Sequence, residues 1–205
     1  MKSREGTVVD ADDMIDEMVR LAREQTEQAA KTGGLSPTEL DELYEMIGLG
    51  ALKFYLLRVE PRKKMIFNPA ESIDLKGYTA TFIQYAHARI CSILRKEQIP
   101  LQPEASQFAA FSGAEGLLKL EKDMIILLEQ YPAILAEAAS GYNPSVICNY
   151  AFGVAQLFST FYDRHSIARA ETAEKKQLRL MIIVHTAAIL RHSMGLLGIR
   201  MPEKM

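Results

Sequence analysis

The segment FIQYAHARICSIL, residues 82–94, decides the fold class of this chain and locates its first candidate site. At about 100° per residue, Phe82, Ala86, Ile90, Ile93 and Leu94 fall on one side of a helix, and Tyr85, Arg89, Ser92 and Lys96 form a second stripe beside it. The first side is a core face. The second carries a ring and two cations, an arrangement that packing alone does not require.

The helical period extends over almost all the patterned sequence, and only GTVVD, residues 6–10, looks extended. The fold class expected is therefore all-α, a helical bundle. Residues 10–31 place acids in the first turns and Met14, Met18 and Leu21 at helical spacing, with Gly33 and Gly34 as the stop. Ser36, Pro37 and Glu39 make a capping box for a helix running to about Val59. Residues 61–77 hold two prolines and a glycine without a sustained helical pattern, which predicts a linker and a domain boundary. After the helix quoted above, Ser112 with Glu115 offers a further capping box, and Pro132 should bend or restart the helix that follows. Asn143 and Pro144 begin a helix with Tyr150, Val154, Leu157, Phe158 and Phe161 on one face, and the last helix should close at Gly198. Within the quoted helix, Gln84 is suited to satisfying buried backbone or positioning the linker, and His87 to a structural role.

With 205 residues and 48% apolar content, the chain can bury a sizeable core. It contains no run resembling a membrane span and no signal-peptide pattern, so a cytoplasmic location is expected. Cys91 and Cys148 lack CxxC spacing and sit in apolar helical surroundings, which favours buried free thiols over a disulfide. His87, His165, His185 and His192 form no HxxxH pair, and no metal site is expected. The net charge of −2 hides an asymmetry: residues 1–60 carry 7 Lys and Arg against 13 Asp and Glu, and residues 61–205 carry 17 against 13. So modest a basic excess means that any nucleic-acid contact must depend on placed residues and stacking rather than on a polycationic field.

Three blocks sharpen this reading: KGYTATFIQYAHARICSILRK (76–96), ICNYAFGVAQLFSTFY (147–162) and HSMGLLGIRMPEKM (192–205). Together they resemble the C-terminal half of bacterial-type arginyl-tRNA synthetases, class I enzymes whose DALR-type anticodon-binding bundle opens with a G-x-T-x-x-[FY]-x-Q-Y-A-H-A-R helix and closes on G-L-L-G-I-x-x-P-E-x-M. The resemblance covers nearly the whole chain. It implies that residues 1–72 are the tail of the catalytic domain and that residues 73–205 are the anticodon-binding bundle. Met1, Lys2, Ser3 and Arg4 are similar to the latter part of the family's KMSKS-type loop, although its first lysine would precede Met1.

The family's anticodon contacts, carried over where this sequence matches, fall on Tyr85, Arg89, Tyr162 and Met205. Arg95, Lys96, Arg191 and Arg200 are candidates for phosphate contacts, whereas Lys175, Lys176 and Arg179 fit a solvated helix start, a position that would also allow contact with the tRNA stem. The parent enzyme that the resemblance implies is a monomeric arginine–tRNA ligase that uses ATP with Mg2+. Its partners would be tRNA(Arg) and the missing N-terminal catalytic part. There is no HIGH-type sequence or nucleotide-binding fold here, so this chain is expected to bind tRNA without activating arginine. Detachment from that part should leave Leu49, Leu52, Leu56 and Leu57 exposed along the Ser36–Val59 helix. A helical protein-interaction bundle without RNA contact is the alternative that composition alone leaves open.

Overall fold

Capping chemistry sets the helix boundaries. In the computed structural model, which describes residues 10–28, 34–101, 116–167 and 169–205, every regular element is an α-helix. Helix α1 (Ala11–Gln28) opens with Asp12 and Asp13 in its first turn, where carboxylates complement the helix dipole. Helix α2 (Pro37–Leu57) begins with the capping box that its sequence predicts: the Glu39 N–H donates to Ser36 Oγ at 3.3 Å, and the Ser36 N–H donates to Glu39 Oε2 at 2.7 Å. The linker is ordered around a short helix, α3 (Pro69–Ser72). It is held by Tyr55 Oη donating to the Ile66 carbonyl and by Arg58 bonding Glu71 and the Tyr78 carbonyl.

Thr79 caps α4 (Ala80–Lys96), the helix of the quoted segment. The Ser112–Glu115 box and Gly33 lie outside the described residues. Helix α5 (Lys119–Glu129) is capped instead by Glu121, whose carboxylate accepts the Leu118 N–H at 2.9 Å. Pro132 restarts the chain as α6 (Tyr131–Ser140), and Asn143 caps α7 (Pro144–Arg164) as expected. Helix α8 (Ala173–Leu196) closes at Gly198, whose φ of +68° lets the Ile199 N–H reach back to the Met194 carbonyl.

The apolar faces assemble two adjoining cores. The larger gathers α4 to α8 around Ile83, Ile90, Val154, Phe158, Phe161 and Leu190, and it also takes Phe54 from α2. The smaller joins α1 to the first part of α2 through Met18, Ala22, Leu43, Ile47 and Ala51 and includes Ile73 of the linker. Helix α2 therefore belongs to both. Cys91 and Cys148 are buried free thiols, and among the described residues no helix is long and apolar enough to cross a membrane.

The structure corrects two expectations. Leu52 is buried in the smaller core and Leu49 and Leu57 are half-buried, so among the four leucines only Leu56 is exposed. Arg179 is 1% exposed and is no part of a solvated helix start. Its guanidinium donates to Glu121 Oε1 at 2.9 Å, to the Ser166 carbonyl at 2.7 Å and to Glu171 Oε2 at 2.7 Å. Lys175 bonds the other oxygen of Glu121, and Lys176 pairs with Glu97 at 2.7 Å. The reason is Glu121 itself: a fully buried carboxylate needs charged partners, and α8 supplies them. Burial pushes the Glu121 pKa up, but Lys175, the Leu118 N–H and Arg179 outweigh it and hold the carboxyl below its usual value.

Two helical glycines, Gly48 of α2 and Gly153 of α7, do opposite work. A methyl group on Gly48 would lie 2.8 Å from the Met18 backbone of α1, so the glycine sets how closely the two helices approach. A methyl group on Gly153, within α7, would meet nothing within 4 Å. Helix propensity alone favours alanine at both positions by about 1 kcal/mol. We expect Gly153→Ala to stabilise the chain by about 0.5–1 kcal/mol and Gly48→Ala to destabilise it by about 1–3 kcal/mol, measured by urea unfolding.

Candidate nucleic-acid interface

Helix α4 turns its two stripes to different tasks. Ile83, Gln84, Ala86, His87, Ile90, Cys91 and Leu94 are buried, whereas Tyr85, Arg89 and Ser92 are half-buried along its rim. Gln84 is completely enclosed, and its amide donates to the Met46 carbonyl of α2 at 3.2 Å and to the Arg200 carbonyl of the C-terminal tail at 2.9 Å. This contact requires Gly50, where a methyl group would lie 2.8 Å from the Gln84 nitrogen. One turn on, His87 Nδ1–H donates to the Pro202 carbonyl at 2.9 Å. Both residues thus have the backbone and structural roles their positions suggest.

The tail, residues 199–205, is thereby pinned along α4. Ile199, Met201 and Pro202 are buried, and Lys53 donates to the Gly198 carbonyl at 2.7 Å. Arg95 donates to the Glu203 carbonyl at 2.9 Å, and Arg191 pairs with the Glu203 carboxylate at 3.0 Å. Glu203 is a site-building residue that sequence reasoning passed over. Its signal was that it is the single acidic residue of the closing block, 192–205. Arg200 stands apart from Arg95 and Arg191 and pairs with Glu45 of α2 at 2.9 Å.

At the end of this strap, Met205 lies beside Tyr85. The two residues share the lining of a hollow of about 350 Å³ that also presents Arg89, Ser92, Arg95 and Lys204. The Arg89 guanidinium lies 4.7 Å from the Tyr85 ring centre and 5.0 Å from that of Tyr162, and Nη2 donates to Tyr85 Oη at 3.1 Å. Tyr162 comes from α7, 38% exposed, with its ring 6.0 Å from that of Phe158. A planar cation held between two rings is fixed in orientation before any ligand arrives.

The structure brings Tyr85, Arg89, Tyr162 and Met205 into one neighbourhood. Of the four basic residues named for phosphate contact, Arg95 and Arg191 hold the tail and Arg200 holds α2, while Lys96 has no carboxylate partner among the described residues. Lys2, Ser3 and Arg4 lie outside the described residues. Among the described residues no group of His, Cys, Asp or Glu could hold a metal ion.

Residues 83–205, which contain all four of these side chains, match the DALR anticodon binding domain. The chain belongs to that family. Over its full length this DALR-domain chain is 42% identical to the arginine–tRNA ligase of Bacteroides thetaiotaomicron and 44% identical to that of Phocaeicola vulgatus. It spans only about a third of those relatives, 34% and 33% of their lengths. Its fold is similar to that of Thermus thermophilus arginyl-tRNA synthetase, with a TM-score of 0.83 at 27% identity over 97% of this chain and 32% of that one.

Burial is the largest influence on His87 and pushes its pKa below the usual 6.5; Arg191 acts in the same direction, while the Pro202 carbonyl and Glu203 oppose it. The imidazole therefore stays neutral in the folded DALR bundle when the unfolded chain has already taken up a proton. Stability attributable to this residue is intact above about pH 6.5 and declines as pH falls below it. In urea titrations between pH 7.5 and 5.5, the wild-type chain should lose stability with acidification and His87→Ala should show a flatter dependence. An unchanged slope in the variant would rule His87 out as the source.

Proposed function

We propose that this chain is the tRNA-binding portion of an arginine–tRNA ligase, with residues 73–205 receiving the anticodon loop of tRNA(Arg). The observation that carries the reading is the Tyr85–Arg89–Tyr162 stack beside the hollow that Met205 closes. An anticodon loop presents unstacked bases, which proteins take up against rings and guanidinium planes and read through their hydrogen-bonding edges. Arg89 supplies a planar fork of donors, Tyr85 and Tyr162 supply faces, and the Met205 thioether supplies a soft apolar wall that adapts to a base. The pinned tail means that this wall is built before the RNA binds, so little ordering cost remains for the encounter.

Residues 1–72 are assigned to the end of the catalytic region, with α1 and α2 bracing the bundle against it. The parent ligase would be a monomeric cytoplasmic enzyme that consumes ATP with Mg2+ to join arginine to tRNA(Arg). No step through ATP is assigned to this chain; its own part is to hold and orient the tRNA. Exposed Leu56 and Ile66 mark the side suited to the rest of the enzyme.

Base–aromatic stacking contributes about 1–3 kcal/mol per base. Arg89→Ala and Tyr162→Ala should therefore raise the Kd of this chain for a tRNA(Arg) anticodon-arm hairpin by about 5- to 150-fold. In the full-length enzyme the same variants should raise KM for tRNA and leave KM for arginine and ATP unchanged. Wild-type affinity in both variants, or equal damage to all three KM values, would reject the reading.

A further inference from the structure

Tyr85 and Met205 also border a second hollow, of about 270 Å³, which α1, α2, the linker and the first turns of α4 enclose. Ala22 and Ile47, both buried, give it an apolar floor, and Leu75 of the linker adds an apolar wall. An apolar cavity of about 150 Å³ already holds a benzene ring, so this one has room for one ring or two fused ones. Two polar groups on its border are not spent within the chain. Thr81 is 2% exposed, yet its hydroxyl has no hydrogen-bond partner. Lys76 is exposed and has no carboxylate partner among the described residues. The Thr26 hydroxyl, by contrast, donates to the Ala22 carbonyl at 2.7 Å.

We propose that this second hollow binds a small amphipathic anion: an aromatic body of one or two rings, with a ring N–H or O–H for Thr81 and an acid group for Lys76. Burial of the rings supplies the affinity. A buried hydroxyl left unpaired costs stability, and the polar edge of the ligand removes that cost. Lys76 fixes the direction, with the acid toward solvent and the rings inward. The ligand and an RNA base touch the same two side chains, Tyr85 and Met205, from different hollows. Sites that share walls are linked, and the linkage is reciprocal. A filled second hollow leaves the flexible Met205 side chain no room to retreat, so the ligand favours RNA binding. Only this coupling rests on the reading of the first hollow as an RNA site.

The test uses the whole 205-residue chain, with indole-3-propionate as probe and indole as its uncharged counterpart, followed by NMR of the Ile47 and Met205 methyl groups. Indole-3-propionate should bind with a Kd of about 1 mM or tighter and shift both signals. Leu75→Ala, at a 38% exposed position, should raise that Kd at least about threefold. Lys76→Met should raise it for indole-3-propionate and leave that of indole unchanged. Saturating probe should lower the Kd of the wild-type chain for the anticodon-arm hairpin about fivefold. No binding to the wild-type chain, or binding unaltered in both variants, overturns the site. Hairpin affinity that the probe leaves unchanged or weakens overturns the coupling while Arg89→Ala still weakens hairpin binding. If Arg89→Ala binds the hairpin as wild type, the failure belongs to the RNA-binding reading, and the ligand site stands on its own titrations.

Discussion

The side-chain amide of Gln84, lying across Gly50 with one hydrogen bond to α2 and one to the C-terminal tail, is the contact on which the rest of the site depends. It is buried, and a buried carbonyl deprived of its donor costs about 1–3 kcal/mol, so the tail cannot leave its track cheaply. The consequences run in both directions from this point. Toward the N-terminus, the missing side chain at Gly50 admits the amide, while Gly48, two residues earlier, admits the backbone of α1. Toward the C-terminus, His87 holds Pro202, and Arg95 and Arg191 hold Glu203, so that each residue of the strap is placed by the one before it. Met205 reaches the Tyr85 hollow as the end of that chain of contacts. The Cys91 thiol packs against His87, and burial, with Glu203 nearby, pushes its pKa up to about 11, so this seam contains no reactive group that would disturb it.

The second support is ionic. Tyr162 stands near the end of α7, and the chain beyond it is held by Arg179, which joins the Ser166 carbonyl to Glu121 of α5 and Glu171. Two cations on one enclosed carboxylate offset its desolvation, and losing either would leave charge stranded in the interior. Such a network adds less net stability than an apolar core of the same volume could, but it fixes direction. Here it fixes where α5, α7 and α8 meet, and therefore where the Tyr162 ring meets Arg89. Phe158 and Phe161 complete the placement from the apolar side.

Much of this was legible in the sequence because local chemistry decides it. Ser36 with Glu39, Asn143 with Pro144, and Gly198 set their helix ends through neighbours a few residues away, and each is found doing so. Gln84 and His87 were readable as structural because their angles on α4 carry them off the Tyr85–Arg89 stripe. The Arg179–Glu121 pair was not readable: its members are 58 residues apart, and a basic helix start looks alike whether it faces water or a buried acid. Leu52 was misjudged for the same reason, since it is buried in the core that α2 forms with α1 and with Ile73 of the linker. Arg95 and Arg191 looked like free cations until the fold brought Glu203 between them. Charge in sequence tells little about charge available to a ligand.

The central claim, that the Gln84 staple places Met205 in the RNA site, is tested most directly by NMR of the methionine methyl groups during titration with the anticodon-arm hairpin, with Met205→Leu assigning the signal. The wild-type Met205 methyl should shift strongly on binding. In Gln84→Leu it should resonate as a mobile chain end and respond weakly, while methyl signals from the core stay in place. A Met205 signal that responds to RNA equally in both proteins would contradict the account.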